Sequence, residues 1–109
     1  MKNMSLLHYH KYYQSPVIID KYDLVALHHL LIFSADGMVR FGILNQNAKF
    51  KESGSGRFEM MNNQISFTIR KHIDNHKSNW YGEIRPKGIE IRIENADFED
   101  LEGLYRLIM

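Results

Sequence analysis

Two stretches of this chain, Gly56 to Arg70 and Trp80 to Glu94, alternate apolar with polar residues on both sides of a turn signal. A period of two places one set of side chains on each face of a strand, so the core must be an antiparallel sheet built from hairpins. With Asn62-Asn63 as a two-residue turn, Met60 faces Ile65 and Phe58 faces Phe67, while Glu59 lies opposite Ser66 and Arg57 opposite Thr68. In the second stretch Trp80, Gly82 and Ile84 must share a face with Ile89, Ile91 and Ile93, which requires a loop with an even number of residues. A two-residue loop would set Glu83 against Glu90. A four-residue loop over Pro86 to Ile89 sets Arg85 against Glu90 and Glu83 against Arg92. Directly opposed opposite charges contribute roughly 0.2–1 kcal/mol and like charges cost energy, so the charge pattern predicts the longer loop, on a type I turn opened by Pro86.

The remaining segments are read around these hairpins. Residues 1–16 mix Tyr9, Tyr12 and Tyr13 with His8, His10 and Lys11 without a clean period. They read as an arm, irregular or a short helix, ahead of a β domain over residues 17–109. Val17 to Ile19 suits a brief strand. The run from Leu24 to Phe33 suits either a strand buried on both faces or a short helix. Asp36-Gly37 favours a two-residue type I′ turn; it would place Ile32 opposite Phe41 and Leu30 opposite Ile43, so at least the second half of that run is expected to be extended. Asn45 to Ser55 has loop composition, ending in Ser53-Gly54-Ser55-Gly56. Five acids (Glu94, Asp97, Glu99, Asp100, Glu102) fall in nine residues and suit a solvated loop. Tyr105, Leu107 and Met109 then alternate as a closing strand would, with an amphipathic helix from Asp97 as the competing reading.

At 109 residues the chain is the size of one domain, and 44% hydrophobic with 25% charged residues suits a packed core. Fourteen basic and 13 acidic residues leave a net charge of +1, too little to support the phosphate neutralisation that dominates nucleic-acid affinity. There is no cysteine, which excludes disulfides, a thiolate nucleophile and cysteine metal sites. The N-terminal residues contain no apolar run long enough for a signal-peptide core, so a cytoplasmic location is expected. The longest apolar stretch falls well short of the ~20 residues that span a bilayer, and no membrane partner is expected.

The order Phe33-Ser34-Ala35-Asp36-Gly37, then Gly56-Arg57-Phe58 with Asn62-Asn63 and Ile65-Ser66-Phe67, then Tyr81-Gly82, then Tyr105-Arg106-Leu107, resembles the compact lipocalin-like, or calycin-type, β-barrels over roughly residues 30–108. The chain departs from the larger lipocalins in lacking their Gly-x-Trp start and paired cysteines. The resemblance implies a mainly β meander closing as a small barrel. About seven strands can be counted, fewer than the eight usual for such a barrel, so the barrel is expected to be incomplete, with an edge covered by the first apolar segment, the N-terminal arm or a second subunit.

Two functional readings follow. In the first, the interior holds a small apolar ligand between Phe41, Phe58, Phe67, Trp80, Gly82, Ile84 and Ile91, with only Gly82 leaving space. In the second, the sheet is a packed scaffold for protein–protein contact or homodimerisation through an edge strand, the arm or the tyrosines Tyr9, Tyr12, Tyr13 and Tyr81. Six histidines invite a metal hypothesis, but none of their spacings supplies three or four converging ligands, and no metal or cofactor is expected. Of the adjacent His28 and His29, at least one should be buried if the segment is extended. Gly54-x-Gly56 precedes a strand rather than a helix and lacks the lysine of a phosphate loop. Glu83 and Glu90 read as partners of cross-strand arginines, and no catalytic residues are assigned.

Overall fold

A computed structural model describes residues 7–16, 18–19, 26–44, 47, 49–94 and 101–108. Ten strands occur among them: β1 (Tyr12–Gln14), β2 (Ile18–Ile19), β3 (Ala26–Leu27), β4 (His29–Phe33), β5 (Met38–Leu44), β6 (Phe50–Met61), β7 (Gln64–Lys71), β8 (Lys77–Arg85), β9 (Gly88–Ile93) and β10 (Gly103–Ile108). β4 to β10 form an antiparallel meander, and β1 lies between β10 and β4 to close an eight-stranded barrel. β2 and β3 make a separate two-stranded ribbon. Residues 95–100, with three of the five acids (Asp97, Glu99 and Asp100), the start of the Leu24 run and Met109 lie outside the described residues.

The eighth strand is the segment read as an arm. Tyr12–Gln14 pairs with Ile108–Arg106 on one side and with Ile32–Leu30 on the other. Tyr13 supplies the reason: its ring is 2% exposed and meets Phe33 edge-on at 5.7 Å. The barrel is therefore complete, and its sealing element comes from the same chain. His29–Phe33 is extended, as expected, and Gly103–Ile108 is the anticipated closing strand.

The β6–β7 hairpin has the expected register, with Phe58 opposite Phe67 and Met60 opposite Ile65. Asn62 adopts φ 58°, a left-handed conformation that asparagine tolerates. Two other loops differ from expectation. Between β4 and β5, Ser34 N–H donates to Met38 O at 2.9 Å and Gly37 N–H to Ser34 O at 3.0 Å, a three-residue loop with Gly37 at φ 89°. This is a type I turn completed by a glycine bulge. It pairs Leu31, not Ile32, with Phe41. The one-residue change sends Leu31, Phe33, Val39 and Phe41 inward together, all at most 4% exposed.

Between β8 and β9 the loop is the two-residue Pro86-Lys87, so Glu83 does face Glu90 and Tyr81 faces Arg92. Ile89 explains the outcome. It pairs with Ile84 and is completely buried, whereas the longer loop would have taken it out of the ladder. Burying an isoleucine contributes about 1.5–3 kcal/mol, more than the gain from an exposed charge pair. Glu83 instead meets Arg85 of its own strand at 3.2 Å, both well exposed.

Ser53 to Gly56, read as a flexible loop, lies inside the twelve-residue β6. The glycines serve close packing of strand on strand: a Cβ at Gly54 would sit 2.8 Å from Arg70 O, and one at Gly56 would collide with the Thr68 carbonyl.

Candidate functional site

Alternation along β7 to β9 sorts the side chains cleanly into an apolar interior and a polar exterior. On β8, Ser78, Trp80, Gly82 and Ile84 are buried while Lys77, Asn79, Tyr81, Glu83 and Arg85 are exposed. This is the reverse of a transmembrane barrel, whose lipid-facing positions are apolar.

The interior is occupied by aromatic rings. Phe33 meets Phe58 at 5.2 Å and Phe67 at 5.6 Å, both edge-on, and Phe67 stacks on Trp80 at 5.5 Å. Trp80 also contacts Phe41 at 5.1 Å and Tyr105 at 6.3 Å. Its indole N–H donates to Ser78 Oγ at 2.8 Å, and the Tyr105 hydroxyl donates to Leu101 O at 2.8 Å, so the polar atoms of both large rings are satisfied. Burial pushes the Tyr105 phenol far above the usual range. Of the interior candidates, Phe41, Phe67, Trp80, Ile84 and Ile91 are at most 4% exposed and share this one cluster, with Phe58 partly buried against it. Above Gly82 the space is already taken: a Cβ there would lie 2.6 Å from Ile89 Cγ2, 2.8 Å from Ile65 Cγ2 and 3.1 Å from Ile91 Cδ1.

The four tyrosines divide. Tyr13 belongs to the core, its oxygen accepting the His8 N–H at 2.8 Å, and burial raises its pKa despite that bond. Tyr12 is half-buried against Phe50 at 5.9 Å, and Tyr9 is exposed with its ring 6.3 Å from Phe58. Tyr81 lies on the outer face, 48% exposed, its hydroxyl donating to Glu94 at 3.3 Å. The Glu94 charge raises its pKa.

His28 and His29 are both half-buried. His28 Nδ1 lies 2.8 Å from Ser15 O. His29 stacks flat on Phe41 at 5.0 Å, and its buried Nδ1 has no hydrogen-bond partner among the described residues. Loss of water lowers its pKa, and the neighbouring His28 and Lys71 add to the effect. His72 pairs with Glu52 at 2.5 Å, and Arg40 approaches the same carboxylate at 3.6 Å. No group of three or more metal-ligating side chains converges among the described residues.

The outer face carries concave surface. A groove of about 510 Å³ runs across β6 to β9, with Met60, Met61 and Tyr81 beside Glu83, Arg85, Glu90 and Arg92. Met60 is 42% and Met61 75% exposed. The sequence marks Tyr81 as outward-facing, but the groove itself depends on three strand registers. A second cleft, of about 770 Å³, lies over β5 to β8 and includes Ser55, Arg57, Thr68, Arg70, Lys77 and Asn79. None of those cations is picked out by sequence, because they are scattered between positions 57 and 77. No protein-family model, curated protein or solved structure matches this chain.

Proposed function

We propose that this protein is a filled β-barrel scaffold that acts through its outer surface, associating with a second copy of itself across the groove of β6 to β9. The observation that supports this reading most is the packing over Gly82, where three isoleucines close in on an interior position that lacks a side chain. A barrel of eight strands is just wide enough to be filled by side chains or to hold one small ligand, and aromatic rings take that room here. The likeness to lipocalin-like barrels is on this view one of architecture, without the carrier's cavity.

The choice of a second copy rests on the groove's chemistry. Its outward apolar side chains, Met61 and Tyr81, are flanked by three glutamates, Glu59, Glu83 and Glu90, and two arginines, Arg85 and Arg92. A patch carrying both signs around an apolar centre is self-complementary under a two-fold axis, with Glu83 and Glu90 of one copy meeting Arg85 and Arg92 of the other. Closure of the barrel leaves its strands without a free edge, which directs association to side chains rather than to strand pairing.

Sedimentation velocity over a wide concentration range tests this. A concentration-dependent dimer that disappears on combining Met61→Ser with Tyr81→Ser, at unchanged melting temperature, is expected. A monomer throughout, with melting raised by a fatty acid, retinoid or haem, would instead support an interior ligand.

A further inference from the structure

The cleft over β5 to β8 has a charge pattern that folding stability does not explain. The ladder sets Arg40 opposite Ser55, Ser55 opposite Arg70 and Arg70 opposite Lys77, one continuous row across four strands. In the neighbouring row Arg57 lies opposite Met38 and Thr68 opposite Asn79. All four cations are exposed. Arg40 is held by Glu52 at 3.6 Å, but Arg57, Arg70 and Lys77 make no ion pair among the described residues.

Like charges directly opposed across strands destabilise a sheet, and here Arg70 and Lys77 are such a pair. Adjacent strands are about 4.8 Å apart and residues about 3.4 Å apart along a strand, so at the backbone Arg70 stands about 5 Å from Lys77 and about 8 Å from Arg57, with Arg57 and Lys77 about 12 Å apart. Beside them the Thr68 hydroxyl donates to Asn79 Oδ1 at 2.8 Å, tying together two residues that line the cleft. We propose that this cleft binds the phosphate groups of a small polyphosphorylated molecule, held by Arg57, Arg70 and Lys77.

Three considerations select that ligand class. Two guanidinium forks beside an ammonium match the oxygens of adjacent phosphates better than a single carboxylate. A volume of about 770 Å³ suits a small molecule. The chain as a whole carries only +1, and Glu59 and Glu94 stand on the same outer face. A long polyanion would therefore be drawn past these carboxylates, whereas a compact one can stay within the cleft, whose lining holds three cations and no carboxylate. The site is separate from the proposed dimer groove, and its failure leaves that reading untouched.

Isothermal titration calorimetry of the full chain with inorganic tripolyphosphate at low ionic strength tests the proposal. One saturable site is expected, weakened about ten-fold or more by Arg70→Gln and by Arg57→Gln, each removing charge-assisted hydrogen bonds, and weakened further by added salt. Arg106→Gln, an exposed cation on β10, should leave it unchanged. Absence of binding, an equal loss with Arg106→Gln, or equally tight binding of citrate would overturn the proposal. So would tighter binding of an oligothymidylate than of tripolyphosphate, which would make the cleft a nucleic-acid surface.

Discussion

Adding one methyl group at Gly82 tests whether the barrel is full. The Cβ of Gly82→Ala would lie 2.6 Å and 2.8 Å from the Cγ2 methyls of Ile89 and Ile65. These methyls branch directly from stiff Cβ atoms and cannot swing aside by a terminal rotation. Overpacking of this kind costs about 1–3 kcal/mol. Alanine also reduces the freedom of the unfolded chain, a gain of about 0.4–1 kcal/mol. The net expectation is a loss of about 0.5–2 kcal/mol, or a melting temperature lower by about 2–10 °C for a domain of this size. Urea and thermal unfolding followed by the fluorescence of Trp80, the single tryptophan, would measure it. A double-mutant cycle sharpens the assignment. Ile89→Ala alone should cost about 2–5 kcal/mol, and in that background Gly82→Ala should become neutral or stabilising because the methyl enters the space vacated. If Gly82→Ala were neutral or stabilising with Ile89 in place, the packing account would be refuted and an open interior would have to be accepted.

Three further outcomes are expected. His29 has a folded-state pKa lowered from its ordinary 6.5, so its neutral form is favoured by folding; stability should be fully present above the unfolded value and fall as pH drops through the folded one, and urea midpoints across that range should lose part of this slope in His29→Gln. Tyr105→Phe would leave the Leu101 carbonyl without its buried donor, costing about 1–3 kcal/mol, and in the wild type an ultraviolet pH titration should show one phenol that ionises only on unfolding. Deleting residues 1–14 removes Tyr13 from the core and opens β4 and β10 as edges; the loss of a buried aromatic costs about 3–5 kcal/mol, so light scattering should report aggregation, while an unchanged melt would show that β1 is dispensable.

Much of this barrel is legible in the chain because hydrophobic alternation and hairpin turns are local signals. Phe58, Met60, Ile65 and Phe67 specify the β6–β7 register on their own, and the inward Trp80 and outward Tyr81 follow from parity. The features that were not legible depend on tertiary contact. Tyr12-Tyr13-Gln14 is too short to show a period, and only the gap between β10 and β4 makes it a strand. Ser53 to Gly56 has the composition of a linker, yet the neighbouring strands approach so closely that glycine is what fits. Across β8 and β9, charge pairing and Ile89 burial point to different loops, and the magnitudes favour burial. At Asp36-Gly37 the same dipeptide serves a type I′ turn or a bulged type I turn, a difference of one residue that periodicity before Leu30 was too weak to resolve. The basic cleft is the extreme case, since Arg57, Arg70 and Lys77 meet only through the ladders of three strands.

The central claim is that the interior is filled by the protein's own side chains. Xenon enters apolar cavities and leaves packed cores alone, so the most direct measurement is a xenon titration of isoleucine-methyl-labelled protein followed by NMR. A filled barrel predicts no saturable shift at the methyls of Ile65, Ile84, Ile89 and Ile91, whereas saturable shifts at these residues would reveal a cavity and return the protein to the class of ligand carriers.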